Sequence, residues 1–347
     1  MSETYIGIDV HQKQSFYCVL NKGGQCLSHE KMVTDAKSLD GLVARYRESG
    51  VVHVALEAGG SSWWVAQALK SSGALVHVVN AHDLKLIAHS KRKTDKYDSK
   101  VLADLLRCGG LPERVYQPSG WGVEMRSWLK VRKWQVRQRS SAIVRAKAMM
   151  RHYGISVKAG MFRTAGSWEE VMGMNPSVGR LLAPIYEVWR LMVEQIRATE
   201  KVLLEKLPES DERMKLLMSI PGIGPVTAWT LIALVEEVVR FQRADQLVSY
   251  AGLVPWERSS GERVVTGSIT KHGRSELRDV FIQAAWGAMR SSDPGAARLK
   301  QFFYRIMYRR CSQVAIVALA KKLLIISYYV WKRGVPFAGD RSEGMAA

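Results

Sequence analysis

Five short apolar runs in the first eighty residues set the limits on what this chain can fold into. TYIGIDV (4–10), SFYCVL (15–20) and a weaker run from Gln25 to Met32 follow one another across short turns. The connection Asn21-Lys22-Gly23-Gly24 carries hairpin residues, so the strands flanking it pair antiparallel. A helical pattern at 37–47 then leads into VVHVALE (51–57), and a second near 61–70 leads into ALVHVV (74–79). Successive strands followed by helix–strand alternation predict a mixed α/β sheet with helices packed on it. Asp95 to Arg107 reads as a further helix, with Val101, Leu102 and Leu105 on one face.

Acidic residues sit at the ends of these elements. Asp9 closes the first strand in the form G-x-D, and Glu57 closes a later one in LEAGG, where the glycines leave room beside the carboxylate. Asp95 and Asp98, in RKTDKYDSK, are three residues apart and share a helix face. Taken singly, a strand-end aspartate is a turn or cap residue, and an aspartate pair among lysines is a solvated helix face. The ordered set is more specific. Four carboxylates gathered at the carboxyl edge of a sheet repel one another unless cations lie between them, and oxygen-only donors suit Mg²⁺ or Mn²⁺. Two such ions ~3.5–4 Å apart stabilise the attacking and leaving oxygens of a phosphodiester. Arg92, Lys93, Lys96 and Lys100 would then lie near DNA phosphates.

The charge balance points the same way. With 51 Lys and Arg against 32 Asp and Glu, the formal charge is +19 and the pI about 9.9, a balance that calls for a polyanionic partner. From Met125 to Trp168 there is no acidic residue, but there are eleven basic ones. They are Arg126, Lys130, Arg132, Lys133, Arg137, Arg139, Arg145, Lys147, Arg151, Lys158 and Arg163. Such a segment must place cations side by side, and a nucleic-acid backbone relieves the repulsion. The interleaved Trp128 and Trp134 are expected in the core rather than stacked on bases.

Beyond it, Val178–Lys206 reads as a long helix with Leu182, Ile185, Trp189, Met192 and Ile196 at helical spacing, a helical hairpin or short coiled coil. In LLMSIPGIGPVTAWTLIAL (216–234), Gly222 and Gly224 either bring backbone to a phosphate or let two helices pack closely. The stretch 252–273 is expected as a polar loop carrying Arg258, Ser259, Ser260 and Lys271, with Arg274 directly after it. By composition it is a phosphate-binding loop, and a nucleophilic serine is the sharper alternative. Cys18, Cys26, Cys108 and Cys311 are scattered with no metal spacing and read as reduced cytoplasmic thiols. No signal peptide is expected at the amino end. The apolar run 314–331 is broken by Lys321 and Lys322 and reads as a buried helix rather than a membrane span.

Taken in order, Y-I-G-I-D, L-E-A-G, K-T-D-x-x-D, S-I-P-G-I-G-P-x-T-A and A-G-L-x-P…S-G…S-I-T-K-x-G…L-R resemble the DEDD transposases of the IS110 family over nearly the whole chain. The resemblance implies a RuvC-like, ribonuclease-H-type α/β domain, a helical coiled-coil region and a mostly α-helical transposase domain, here placed at 1–155, 156–208 and 209–347. It implies Asp9, Glu57, Asp95 and Asp98 as the metal-binding tetrad and Ser260 as a nucleophile that links transiently to DNA. It further implies a structured noncoding guide RNA, target and donor DNA as partners, a tetramer with composite sites, and a cytoplasmic, nucleoid-associated location. The chain departs from the family pattern in the first glycine of LEAGG, Gly59, where threonine is expected, in Ser99 where alanine is expected, and in a second serine, Ser259, beside Ser260. Two rival readings stand beside this one: a RuvC-like nuclease or junction resolvase without a covalent intermediate, and a non-enzymatic nucleic-acid binder.

Overall fold

The computed structural model describes residues 2–87, 95–158, 160–260 and 263–338; of these, 85–87, 95–96, 257–260 and 263–266 are described by their backbone alone. The chain divides into two compact units, Met1–Gln117 and Pro118–Ala347.

The first unit is the mixed sheet the sequence predicts. Its strands are β1 (Ser2–Asp9), β2 (Gln14–Asn21), β3 (Cys26–Val33), β4 (Gly50–Glu57) and β5 (Leu75–Val79), in the order β3-β2-β1-β4-β5. β1–β2 and β2–β3 pair antiparallel, whereas β1–β4 and β4–β5 pair parallel. Helices α1 (Ala36–Arg47) and α2 (Ser62–Ser71) supply the crossovers, and α3 (Ala81–Ile87) and α4 (Asp95–Arg107) follow β5. Asp35 caps α1 by accepting from the Ser38 amide at 2.7 Å.

Side-chain alternation assigns the two faces of the sheet. Ile6, Ile8, Val54 and Leu56 pack with Leu39, Leu42, Val65 and Leu69 on the α1/α2 face. The residues between them point the other way, toward α4: Tyr5, Gly7 and Asp9 on β1, and His53, Ala55 and Glu57 on β4. There α4 buries Leu102 and Leu106 against Ala55 and Val79, and Ala103 against Cys18 and Leu20. Each large aliphatic side chain buried in this way stabilises the docking by ~1.5–3 kcal/mol.

Gly7 is where helix and strand meet. A Cβ there would fall inside the van der Waals envelope of the Ser99 carbonyl oxygen and the Ala103 amide, and 2.9 Å from Leu102 Cβ. The carboxyl end of the helix lies by the β2–β3 turn, with the Arg107 guanidinium against Gly24. The β2–β3 turn flanks the start of β1, since Asn21 pairs with Thr4. α4 therefore runs antiparallel to β1, and its amino end lies at the carboxyl end of that strand. His77, on the same face of β5, is pushed down to about 4 by burial, with the Arg114 cation and then His53 adding to it, so it is neutral at pH 7.

The second unit is helical: α5 (Gly120–His152), α6 (Ala165–Met174), α7 (Pro176–Lys206), α8 (Glu212–Met218), α9 (Pro225–Val235), α10 (Ala244–Tyr250), α11 (Ser275–Arg290), α12 (Ala297–Arg309) and α13 (Ser312–Arg333). Ser119 caps α5 by accepting from the Gly122 amide, and Asn175 caps α7 with Pro176 in its first turn. α5 and α7 form an antiparallel hairpin. Lys206 pairs with Glu124 at one end and Arg132 with Glu200 further along, each at 2.6 Å, while Ala142, Ala146 and Met150 pack with Val178, Leu182 and Trp189 at the other end. The long α7 is thus one arm of a hairpin whose other arm is the basic helix itself.

α8 to α13 enclose the larger core, with α13 at its centre. By length and hydropathy α13 alone among the described helices could cross a membrane, yet Leu319, Leu323 and Leu324 are fully buried in this core and Lys322 rests over the Phe302 ring. One sequence expectation fails here. The stretch 252–273 is not simply a loop, because β6 (Pro255–Ser260) and β7 (Arg263–Ile269) pair as an antiparallel hairpin. The β-branched Val264, Val265, Thr266 and Ile269 supply its strand propensity.

Gly7→Ala should lower the urea-unfolding free energy by ~1–3 kcal/mol, since α4 must shift or strain to admit the methyl group. Gly41→Ala, a helix-interior glycine with open space around it, should instead gain up to ~1 kcal/mol.

Candidate functional site

Asp9 and Glu57 are brought together by strand register. The parallel pairing of Ile8 with Leu56 makes them the next residues of neighbouring strands, on the same sheet edge and on the α4 face. Asp98 lies in the first turn of α4, adjoining Ser99, whose carbonyl is the atom Gly7 accommodates. The backbones of three of the four predicted carboxylates are thus placed at one corner of the first unit, although among the described residues their oxygens do not gather within 4.8 Å of one another. The backbone of Asp95 starts the same helix, and its side chain lies outside the described residues. Asp9 and Glu57 are half-buried, and Asp9 Oδ2 is 3.3 Å from His11 Nε2, a neighbour the sequence reading did not single out. An all-oxygen set at a sheet edge is the donor chemistry of a hard divalent cation, so these residues fit the metal that the sequence implies.

The basic residues divide into two groups. Arg126 points inward: its Nε donates to the Ala233 carbonyl at 2.8 Å, and its Nη2 donates to Leu234 O and to Glu236 Oε1 at 3.2 and 3.1 Å. It caps the carboxyl end of α9, where Glu236 holds a positive φ of 58° and accepts from the Ser119 amide at 3.0 Å. Burial pulls the Arg126 guanidinium below its usual range, and the buried Glu236 carboxylate partly offsets that. Arg132 and Lys133 also have internal partners, Glu200 and Asp279. Arg274 donates to the Tyr250 hydroxyl at 3.1 Å.

Lys130, Arg137, Arg145 and Arg151 are exposed and recur at helical spacing along one face of α5, whereas Arg139 and Lys147 are half-buried. The stripe from Lys130 to Arg151 is ~32 Å long at ~1.5 Å per residue, close to one turn of a DNA duplex. Trp134 lies on the same stripe and is 54% exposed, against the expectation that both tryptophans are core; Trp128 does pack on the core. Arg126, Lys130, Arg132, Lys133 and Arg274 also border a groove of about 350 Å³ between α5, α9 and α11, with Leu129 and Val280 among its apolar lining.

The glycine pair divides as well. Gly222, at φ 91°, is pressed against the α11 backbone at Ala284 and Ala288, so it serves close helix packing. Gly224 caps α9 and has open space where a Cβ would stand. Lys271, with φ 57°, is exposed beyond β7. Ser259 and Ser260 end β6, and their side chains and that of Arg258 lie outside the described residues.

Arg126→Ala should cost ~3–5 kcal/mol of stability, because it strands the Glu236 carboxylate in the interior. Arg137→Ala and Arg145→Ala should leave unfolding unchanged and each lower the slope of log K against log salt for DNA binding by ~1. Chemical denaturation and fluorescence anisotropy at several salt concentrations separate the two groups.

Comparison with known proteins agrees with this layout. Residues 6–155 match the family model of DEDD transposases of IS110 type, and residues 214–301 match the model described as "Transposase IS116/IS110/IS902 family". The chain is 28% identical to the pilin gene-inverting protein of Moraxella lacunata over 97% of its own length and 98% of the relative's. It is 26% identical to the transposase for insertion sequence element IS1111A of Coxiella burnetii, over 91% and 86% respectively. A probable family 20 transposase of Pseudomonas aeruginosa is 27% identical over 78% and 80%. The first model spans the sheet with Asp9, Glu57 and α4, and the second spans α9, the β6–β7 hairpin and α11. The chain belongs to the IS110 family of DEDD transposases, enzymes of DNA recombination.

Proposed function

We propose that this protein is the RNA-guided recombinase of an insertion sequence, cutting and rejoining target and donor DNA through a transient phosphoserine at Ser260. The observation that carries the reading is the placement of Asp9 and Glu57 side by side on parallel strands, with the amino end of α4 beside them. Asp9, Glu57, Asp95 and Asp98 would hold divalent cations, two Mg²⁺ or Mn²⁺ per site. Bound there, these ions supply charge neutralisation and polarisation of the scissile phosphate. A first domain of RuvC-like, ribonuclease-H type accommodates this tetrad, and the α5–α7 hairpin takes the coiled-coil role.

The serine forms one phosphorus–oxygen bond as the bond to the deoxyribose oxygen breaks, and its hydroxyl proton ends on that leaving oxygen. Religation reverses the exchange with the hydroxyl of the new strand, so no net hydrolysis occurs. Ser260 and the tetrad come from different subunits of a tetramer in this reading. Base pairing by a structured noncoding RNA supplies the sequence choice. The exposed cations of α5 then need to read only backbone and shape. The protein works in the cytoplasm, associated with the nucleoid.

Hydrolysis without a covalent link is the second reading. The family relative named for inverting a pilin gene disfavours it, since inversion requires cut strands to be rejoined. The test uses full-length protein, Mg²⁺, end-labelled junction DNA, and the RNA flanking the element, added or omitted. A labelled protein band on a denaturing gel that needs the RNA, and falls at least ~10³-fold in Ser260→Ala, is the expected result. Asp98→Asn should abolish the same band while leaving DNA affinity within a few-fold. Free cut DNA that persists in Ser260→Ala would establish the hydrolytic reading instead.

A further inference from the structure

The edge hairpin of the first unit holds a second cluster of metal-binding side chains, unrelated to the carboxylates. One ligand atom each from Cys18, Cys26 and His29 lie within 4.8 Å of one another. The sequence gives no hint of it, because strand alternation places Cys26 on the face opposite His29. A register shift brings them together. Cys18 pairs with His29 and Val19 with Ser28, but Leu20 pairs with Cys26, so Leu27 is an extra residue in β3. This β-bulge rotates Cys26 onto the face that carries Cys18 and His29, and re-aiming a side chain is what such bulges accomplish. It also leaves Leu27 as an exposed leucine, 47% accessible, which has no evident use beyond making the bulge.

The site has the construction of a ligand set rather than of a surface coincidence. Cys18 is fully buried beneath α4, Cys26 is exposed to solvent, and His29 is half-buried between them. His29 Nε2 lies 3.2 Å from Ser99 Oγ, itself a fully buried hydroxyl. A ring nitrogen held by a fixed polar partner is the ordinary support of a metal-binding histidine. The other two cysteines of the chain, Cys108 and Cys311, are exposed and belong to no such group among the described residues.

We propose that Cys18, Cys26 and His29 bind one thiophilic d¹⁰ cation of the zinc class, through two thiolates and one imidazole. Tetrahedral binding at ~2.3 Å for sulfur and ~2.0 Å for nitrogen needs ligand atoms ~3.5–3.8 Å apart, which takes at most a small closure of the hairpin. Three protein ligands leave a fourth position for water or an exchangeable group. Softness separates this site from the carboxylate edge, where oxygen donors select hard ions. The ion would fasten the edge strand β3 to β2 and, through His29 and Ser99, to the helix that carries Asp98.

Cobalt(II) reports on the site, because thiolate ligation gives a sulfur-to-metal charge-transfer band that carboxylates cannot produce. Reduced, chelator-treated full-length protein titrated with Co²⁺ should develop this band to one equivalent, lose it on adding Zn²⁺, and keep it in excess Mg²⁺. Cys26→Ser, a change at an exposed position, should abolish the band, and Ser99→Ala should weaken affinity ~10–100-fold. Cys108→Ser should change nothing. The proposal is overturned if no charge-transfer band appears, if it survives in Cys26→Ser, if it is lost in Cys108→Ser, or if Cys18 and Cys26 form a disulfide in place of taking up the ion.

Discussion

The contact between Gly7 and the backbone of α4 governs the first unit. Glycine weakens a strand, and β1 is the central strand of five, so on propensity alone this is a poor place for it. What offsets the cost is proximity: without a Cβ, the strand lets the Ser99 carbonyl and the Ala103 amide come down onto the sheet. Ala55, the neighbour of Gly7 across the parallel pair, is small for the same reason. The helix is held low and in one register, with its amino end beside Asp9. A bulkier residue would lift the helix and move Asp98 away from the two strand-end carboxylates.

The same approach links the two candidate metal sites proposed for the sheet. Ser99 follows Asp98 in sequence and reaches His29 in space, so one turn of α4 borders both the carboxylate edge and the thiol-imidazole group. A change at either border acts on a shared, closely packed helix, and packed interiors transmit small shifts rather than absorbing them.

In the second unit the decisive element is the fate of positive charge. The excess of cations is read at once from composition, but the individual residues do two kinds of work. Arg126 satisfies the carboxyl-terminal carbonyls of α9, and Arg132 ties α5 to α7 through Glu200. Lys130, Arg137, Arg145 and Arg151 face outward on α5 with Trp134 among them. A helix without an acidic residue over most of its length cannot neutralise itself, so its acids come from elsewhere in the chain: Glu200, Glu236 and Asp279. What those do not reach is left for a polyanion.

Local pattern was enough for much of this. Alternating apolar residues, the Asn21–Gly24 turn and the helix periods located the five strands and the principal helices, and the G-x-D and strand-E endings with the aspartate pair singled out the carboxylates proposed as the metal site. These are short-range consequences of side-chain period, turn chemistry and the repulsion of like charges. The tertiary structure alone decided the rest. It showed that 255–269 pairs as a hairpin, that Gly222 packs against α11, that Trp134 is exposed, and which arginines have carboxylate partners. It also joined Cys18, Cys26 and His29, which a strict two-residue period keeps apart. Each of these depends on residues far apart in the chain or on a single-residue register shift, and neither leaves a periodic trace in the sequence.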